Sequence, residues 1–217
     1  MALIHRSGNE PDPPSMRAII LLLLSTVLLT ACDRTAPPQL SEGTLLPEAR
    51  PIADFTLVRQ DGTPFGRRNL EGHWSFVFFG YTHCPDICPT SLAMLAQVRK
   101  GLEKRLPAQA MPQVIFVSVD PERDTPQQLA GFVPYFHPDF IGLTGEPEQI
   151  RHFSRDVGIF YEKEKNAPAQ DYQMFHSAAI ALFDPAARYV AVFTPPHDPG
   201  RIQADFIALQ DYYGARP

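Results

Sequence analysis

The stretch WSFVFFG, from Trp74 to Gly80, constrains this chain more than any other. It carries no charge, is bounded by Gly72 and Gly80, and places apolar side chains on both faces of an extended backbone. Such a run reads as a central strand buried on both sides. The next segment is nearly as restrictive. The loop GYTHCPDICPTS (Gly80 to Ser91) leads into SLAMLAQVRKGLEKRL, where apolar residues recur at helical spacing and bases gather near the end. VIFVSV, from Val114 to Val119, then reads as a second buried strand.

The remaining elements extend this alternation. Asp54 to Val58 opens the domain, and Asp61-Gly62 supplies a hairpin turn into Thr63 to Phe65. Thr125-Pro126-Gln127-Gln128 has capping-box spacing, with Pro at the first helical position. Pro134 ends or kinks that helix. Phe140 to Leu143 reads as a strand and Glu146 to Val157 as a helix. Ser177 to Phe183 and Tyr189 to Phe193, separated by Asp184-Pro185, read as an antiparallel hairpin. Asp198-Pro199 caps a last helix ending near Tyr212. A cysteine pair stands where the first long strand hands over to a helix. The pattern predicts an α/β, thioredoxin-like fold over residues 51–217: a central mixed sheet flanked by helices, with an N-terminal β-hairpin.

Composition narrows the functional classes. Hydrophobic residues make up 44% of the 217-residue chain and charged residues 20%, as in a globular core. Net charge is −5, basic runs do not exceed pairs such as Arg67-Arg68, and aromatic and basic residues do not interleave. Nucleic acid is therefore not an expected partner. Upstream, AIILLLLSTVLLTA (Ala18 to Ala31) follows Arg17 and ends at Cys32. It is short for a bilayer span, which takes about 20 apolar residues, and suits a signal peptide over residues 1–31. Met16 offers an alternative start, in which case residues 1–15 are not translated. Leu29-Thr30-Ala31-Cys32 resembles the lipobox of bacterial lipoproteins, which implies cleavage before Cys32 and a lipid on its sulfur. Asp33 then implies retention at the periplasmic face of the inner membrane. Residues 32–50, polar and proline-containing, read as a lipidated tether. Of the three cysteines, that leaves Cys84 and Cys88 as a pair in an oxidising compartment.

Cys84 and Cys88 are four residues apart; if helical geometry begins in this segment, both sulfurs lie on one face within about 6 Å. A nearby helix N-terminus favours thiolate. Asp86, between them, reads either as a helix cap or as a group supporting the ligands. Two thiolates are incomplete for zinc, which takes four ligands, whereas copper(I) accepts two thiolates and one imidazole. His176, just before SAAIALF, is the candidate third ligand. It lies where a thioredoxin fold brings the chain opposite the cysteine loop, a place those proteins give to proline. His83 adjoins Cys84, but neighbouring side chains point apart. His73, His137, His152 and His197 read as surface or turn residues, and Met174 as filler or a weak extra ligand.

GYTHCPDICPTS, VSVDPERDTP (Val117 to Pro126), IGLTG (Ile141 to Gly145) and HSAAIALFDP (His176 to Pro185) occur in that order. Together they resemble the Sco/SenC family from about Asp54 to Tyr212. The resemblance implies a membrane-anchored, thioredoxin-like copper protein that helps assemble the binuclear copper centre of cytochrome c oxidase subunit II. By position it implies copper ligation by Cys84, Cys88 and His176, with Asp86 as the family's acidic residue between the cysteines. Many members have Asp immediately before the ligand histidine, where this chain has Phe175. If that acid orients the imidazole, its loss weakens or retunes the site. In the VSVDPERDTP segment, Arg123 is expected to pair with a carboxylate.

The leading expectation is a metallochaperone, a binding protein rather than an enzyme. It would hold one copper ion, take it from an upstream donor and pass it to the oxidase subunit. The alternative is a thiol–disulfide oxidoreductase that reduces the acceptor's cysteines, with Cys84 attacking, Cys88 resolving, and a separate reductant restoring the pair. A peroxidase is disfavoured, because Thr82 stands two residues before Cys84 and not three. A structural disulfide alone leaves His176 unexplained.

Overall fold

The computed structural model describes residues 36–168 and 171–214. The chain divides into two units, Met1–Pro37 and Pro38–Pro217. Apart from Ala36 and Pro37 the first lies outside the described residues, and with it the expected signal segment and Cys32. Among the described residues no helix is long and apolar enough to cross a membrane.

In chain order the strands are β1 (Gly43–Pro51), β2 (Thr56–Arg59), β3 (Pro64–Gly66), β4 (Ser75–Gly80), β5 (Gln113–Ser118), β6 (Ile141–Thr144), β7 (Tyr161–Lys163), β8 (Met174–His176), β9 (Ile180–Phe183) and β10 (Arg188–Phe193). The helices are α1 (Ile87–Leu102), α2 (Pro126–Phe132), α3 (Pro147–Asp156) and α4 (Pro199–Gly214). Eight strands form one sheet in the order β1-β10-β9-β4-β5-β6-β2-β3, while β7 and β8 pair apart from it. The sheet is mixed as expected: β4 runs parallel to β5 and antiparallel to β9.

All six residues of β4 are buried, and their alternation explains the two covered faces. Phe76 meets Phe206 of α4, with ring centroids 5.4 Å apart, while Phe79 meets Phe153 of α3 at 5.3 Å. Trp74 closes the first of these faces edge-on against Phe206 and Tyr213. The β2–β3 hairpin turns at Gly62, whose φ of +83° is the left-handed conformation that glycine adopts freely. The capping box on α2 is present: Gln128 N donates to Thr125 Oγ1 at 3.3 Å, and Thr125 N donates to Gln128 Oε1 at 3.1 Å. The α-helix ends at Phe132, and Pro134 lies in the adjoining 3-10 turn.

The structure corrects three expectations. The tether does not reach residue 50, because Gly43–Pro51 is the edge strand β1, paired with β10. Pro47 and Pro51 disguise it; an edge strand tolerates proline because one side needs no partner. A register shift between Leu45 and Arg50 takes up the irregularity, and Leu45, Leu46 and Ala49 pack on the core. Second, α1 starts at Ile87, so Cys88 is helical while Cys84 stays in the loop, and the helical spacing allowed for the pair is only half realised. Third, Ser177 to Ala179 precede β9 instead of belonging to it, and His176 ends a separate strand.

β1 is fastened at its start. The carboxylate of Asp205 in α4 accepts from Ser41 N (2.8 Å), Ser41 Oγ (3.0 Å), Glu42 N (2.8 Å) and Gly43 N (2.9 Å). The register then runs across the sheet from Gly43 to Phe193, Ile180 and Phe78. The chain therefore enters the sheet at the end where β4 finishes.

Candidate metal centre

β4 ends at Gly80, and the cysteine loop turns from it directly into α1. Cys84 lies in the loop, half-buried, and Cys88 in the first helical turn, fully buried. The Cys88 amide points at Cys84 Sγ, 3.5 Å away, so a donor free at the helix start faces the more accessible sulfur. Pro89 is tolerated because first-turn amides have no partner within the helix.

Cys88 Sγ packs against the backbone of β4. A Cβ at Gly80 would lie 2.7 Å from that sulfur and 2.8 Å from Phe116 Cε2. Gly80→Ala is expected to cost about 1–3 kcal/mol by overpacking, read by urea denaturation, and to shift the sulfur. Wild-type stability would show that the site has slack there.

His176 arrives from the other side. At the end of β8 its Nε2 lies 3.3 Å from Cys88 Sγ, and its Nδ1 lies 3.1 Å from the carbonyl oxygen of Ser177. With Nδ1–H donating to that carbonyl, Nε2 presents its lone pair to the sulfur. The edges of Phe78 and Tyr81 pack around the imidazole at 6.0 and 5.9 Å. Burial holds the imidazole below the ordinary histidine range, which keeps it neutral at pH 7. The ligand atoms of Cys84, Cys88 and His176 all lie within 4.8 Å of one another. Bonds of about 2.0–2.3 Å to imidazole and thiolate span up to ~4.6 Å across one ion, so the group lies within a few tenths of an ångström of what a single metal needs. Among the described residues no fourth Cys, His, Asp or Glu joins it.

Burial also pushes the Cys88 thiol well above its usual range, reinforced by the nearby Cys84 and Asp124. Iodoacetamide at neutral pH is therefore expected to alkylate Cys84 at least about tenfold faster than the buried, protonated Cys88. Peptide mass mapping over time checks this, and equal rates would contradict the burial.

The other expected residues fall differently. Asp86 occupies the N-cap position of α1 without making a side-chain cap bond. Its exposed carboxylate accepts from Thr90 Oγ1 at 3.3 Å and stays outside the ligand group. The expected side-chain cap is therefore not made, while Asp86 does line the cavity that opens over Cys84 and His176. Phe175 alternates away from His176 and is 63% exposed. The partner of the His176 Nδ1 is instead the Ser177 carbonyl. His83 is exposed and outside the group, with Nδ1 3.1 Å from Thr82 Oγ1. His197 is more than a turn residue: its Nε2 bonds the Ala178 carbonyl at 3.0 Å, in the segment that leads from His176 to β9. Met174 is buried and lines, with Tyr81, Pro85, Ile87 and Phe175, a cavity of about 390 Å³ opening over Cys84 and His176.

Sequence reasoning missed the supports. Arg123 does pair with a carboxylate, that of Asp120 at 2.5 Å. Tyr172, which donates to the same carboxylate at 2.6 Å, gave no signal of its own. Asp124 is buried and accepts from Thr82 in the cysteine loop. Only its place in VSVDPERDTP marked it.

A family model described as SCO1/SenC matches residues 44–210. The chain belongs to the SCO1/SenC family. Protein SCO1 homolog 1, mitochondrial, of Arabidopsis thaliana is 40% identical to it over 144 residues. That match takes in 66% of this SCO1/SenC chain and 42% of the Arabidopsis protein, so the chain spans under half of that relative's length. Among solved structures, Arabidopsis thaliana ScoI with copper bound superposes with a TM-score of 0.68 at 36% identity, covering 74% of this chain and 98% of that one. Bradyrhizobium japonicum ScoI with copper bound gives a TM-score of 0.64 at 35% identity, covering 72% and 98%. These likenesses, with the mixed sheet and its flanking helices, establish the thioredoxin-like fold of the SCO1/SenC proteins for this member.

Proposed function

We propose that this chain is a copper metallochaperone. It holds one copper ion on Cys84, Cys88 and His176 and delivers it towards the binuclear copper centre of cytochrome c oxidase subunit II. The observation that carries the reading is the donor set: two sulfurs and one neutral imidazole nitrogen within 4.8 Å, with no fourth ligand joining them among the described residues. That set suits copper(I), and copper(II) with a further weak donor, better than a four-coordinate zinc. Copper-bound relatives in the same family support the choice of metal. The cavity over Cys84 leaves one sulfur approachable, which suits ligand exchange with an acceptor. The membrane enters through the lipid proposed on Cys32, and the periplasmic face through the export signal.

A second reading has one observation in its favour. Both cysteines are free thiols, with Cys84 half-buried beneath the Cys88 amide. This suits a thiol–disulfide oxidoreductase in which Cys84 attacks and Cys88 resolves. The same sulfurs serve either role, one at a time.

The test is copper titration of the reduced domain from Asp33 onward, read by metal analysis and absorbance. One tightly held copper per chain, with sulfur-to-copper charge-transfer bands for copper(II), supports the metallochaperone. Substoichiometric copper with ready disulfide exchange supports the oxidoreductase instead.

A further inference from the structure

The site is assembled from two segments that are far apart in sequence. The cysteines hang on the β4–α1 loop. The histidine hangs on β7 and β8, a pair of three-residue strands outside the main sheet. A two-stranded hairpin of that size is not stable alone, so contacts with the domain hold it, among them the Tyr81 hydroxyl donating to Gln173 Oε1 at 2.6 Å.

Residues 118–124 tie down both segments. On the cysteine side, buried Asp124 accepts from Thr82 N (2.9 Å), Thr82 Oγ1 (2.5 Å) and Ser118 Oγ (2.6 Å), two residues before Cys84. On the histidine side, buried Asp120 accepts from the hydroxyl of Tyr172, four residues before His176. The Tyr172 ring is 1% exposed and lies between the Arg123 guanidinium, 3.6 Å from its centroid, and the Lys163 ammonium at 3.9 Å. Lys163 belongs to β7, and Arg123 itself bonds Asp120. Asp120 N donates to Ser118 Oγ at 3.0 Å, which joins the two carboxylates into one network.

We propose that the segment 118–124 is a common mount that sets the spacing between the sulfurs and the imidazole, and that Tyr172 is the positioning residue for His176. Tyr172 touches neither sulfur nor imidazole in the network described; it acts by holding the hairpin that presents His176. Without its hydroxyl the hairpin loses its bond to a buried carboxylate, and His176 spends more time away from Cys88. The consequence for copper rests on the metallochaperone reading; the consequence for the metal-free hairpin does not.

The experiment compares the full chain with Tyr172→Phe, Tyr172→Leu and His176→Ala. In the metal-free proteins, hydrogen exchange is followed by mass spectrometry. Amides of residues 161–163 and 174–176 are expected to exchange about tenfold faster in Tyr172→Phe, as befits loss of a hydrogen bond to a charged group. The acceleration is larger in Tyr172→Leu, while β4 and β5 stay unchanged. Unaltered hairpin exchange overturns the proposal. If Tyr172→Leu does not fold, Tyr172→Phe, which keeps the ring, decides alone. In the copper-loaded proteins, loss of copper to a chelator is expected to be about tenfold faster in Tyr172→Phe, and this increment is absent in a His176→Ala background. An equal increment in both backgrounds means that Tyr172 supports the fold generally and overturns the positioning role. If the parent chain retains no copper, the metallochaperone reading falls, and hydrogen exchange alone decides the mount.

Discussion

His176→Ala is expected to weaken copper(II) binding by about a hundredfold or more, because loss of a group that merely orients a ligand already costs about 10–100-fold. The imidazole supplies the single nitrogen in a group whose other two donors are sulfurs. Alanine leaves a dithiolate that can still hold copper(I) but offers copper(II) no borderline donor. The folded state should survive, since His176 hangs on a two-stranded hairpin outside the main sheet. Competition against a chelator of known affinity measures the loss, together with disappearance of the charge-transfer bands. Equilibration of the Cys84–Cys88 pair with glutathione is expected to change little, because neither sulfur nor the helix start is altered. Full-affinity copper binding in this variant would remove His176 from the site.

The largest expected loss of stability comes from Asp124→Ala. Its carboxylate is fully buried and satisfies Thr82 N, Thr82 Oγ1 and Ser118 Oγ. Alanine leaves all three donors without their acceptor. Each stranded donor costs about 1–3 kcal/mol, so the three together are expected to cost several. The Thr82 hydroxyl can recover part of this by turning to the His83 ring, 3.1 Å away. Urea unfolding with an unchanged m-value should register the loss as a lower midpoint. Asp124→Asn, which keeps the shape and one acceptor oxygen, is expected to fall between parent and alanine. A loss below about 1 kcal/mol for alanine would mean that water replaces the carboxylate.

The fold was legible where local pattern and burial agree. WSFVFFG is apolar on alternate sides because both sides are covered, and Thr125 to Gln128 spell their own cap. Cys84, Cys88 and His176 were legible because few residue types bind metal and these stood at a strand end, a helix start and a strand end. What escaped depends on partners distant in sequence. β1 is a strand because β10 and Asp205 accept it, despite two prolines. β7 and β8, three residues each, are too short to show a period. Phe175 drew attention to how the imidazole is oriented, and the Ser177 carbonyl that bonds Nδ1 could not be read from the sequence. Tyr172 reads as one tyrosine among several until Asp120, Arg123 and Lys163 are seen around it.

The entry of the chain at Gly43, level with Phe78 across the sheet, also fixes a geography. On the lipidation proposed for Cys32, nine Cα-to-Cα steps lead from the anchor to Ser41, where Asp205 takes hold. Nine residues reach at most about 32 Å when fully drawn out. If the lipid is there, the leash would be short and would join the domain at the sheet end where β4 finishes. On that proposal the domain would stay in a thin layer next to the bilayer, and a recipient whose own copper pocket stood far above that layer would lie beyond its reach.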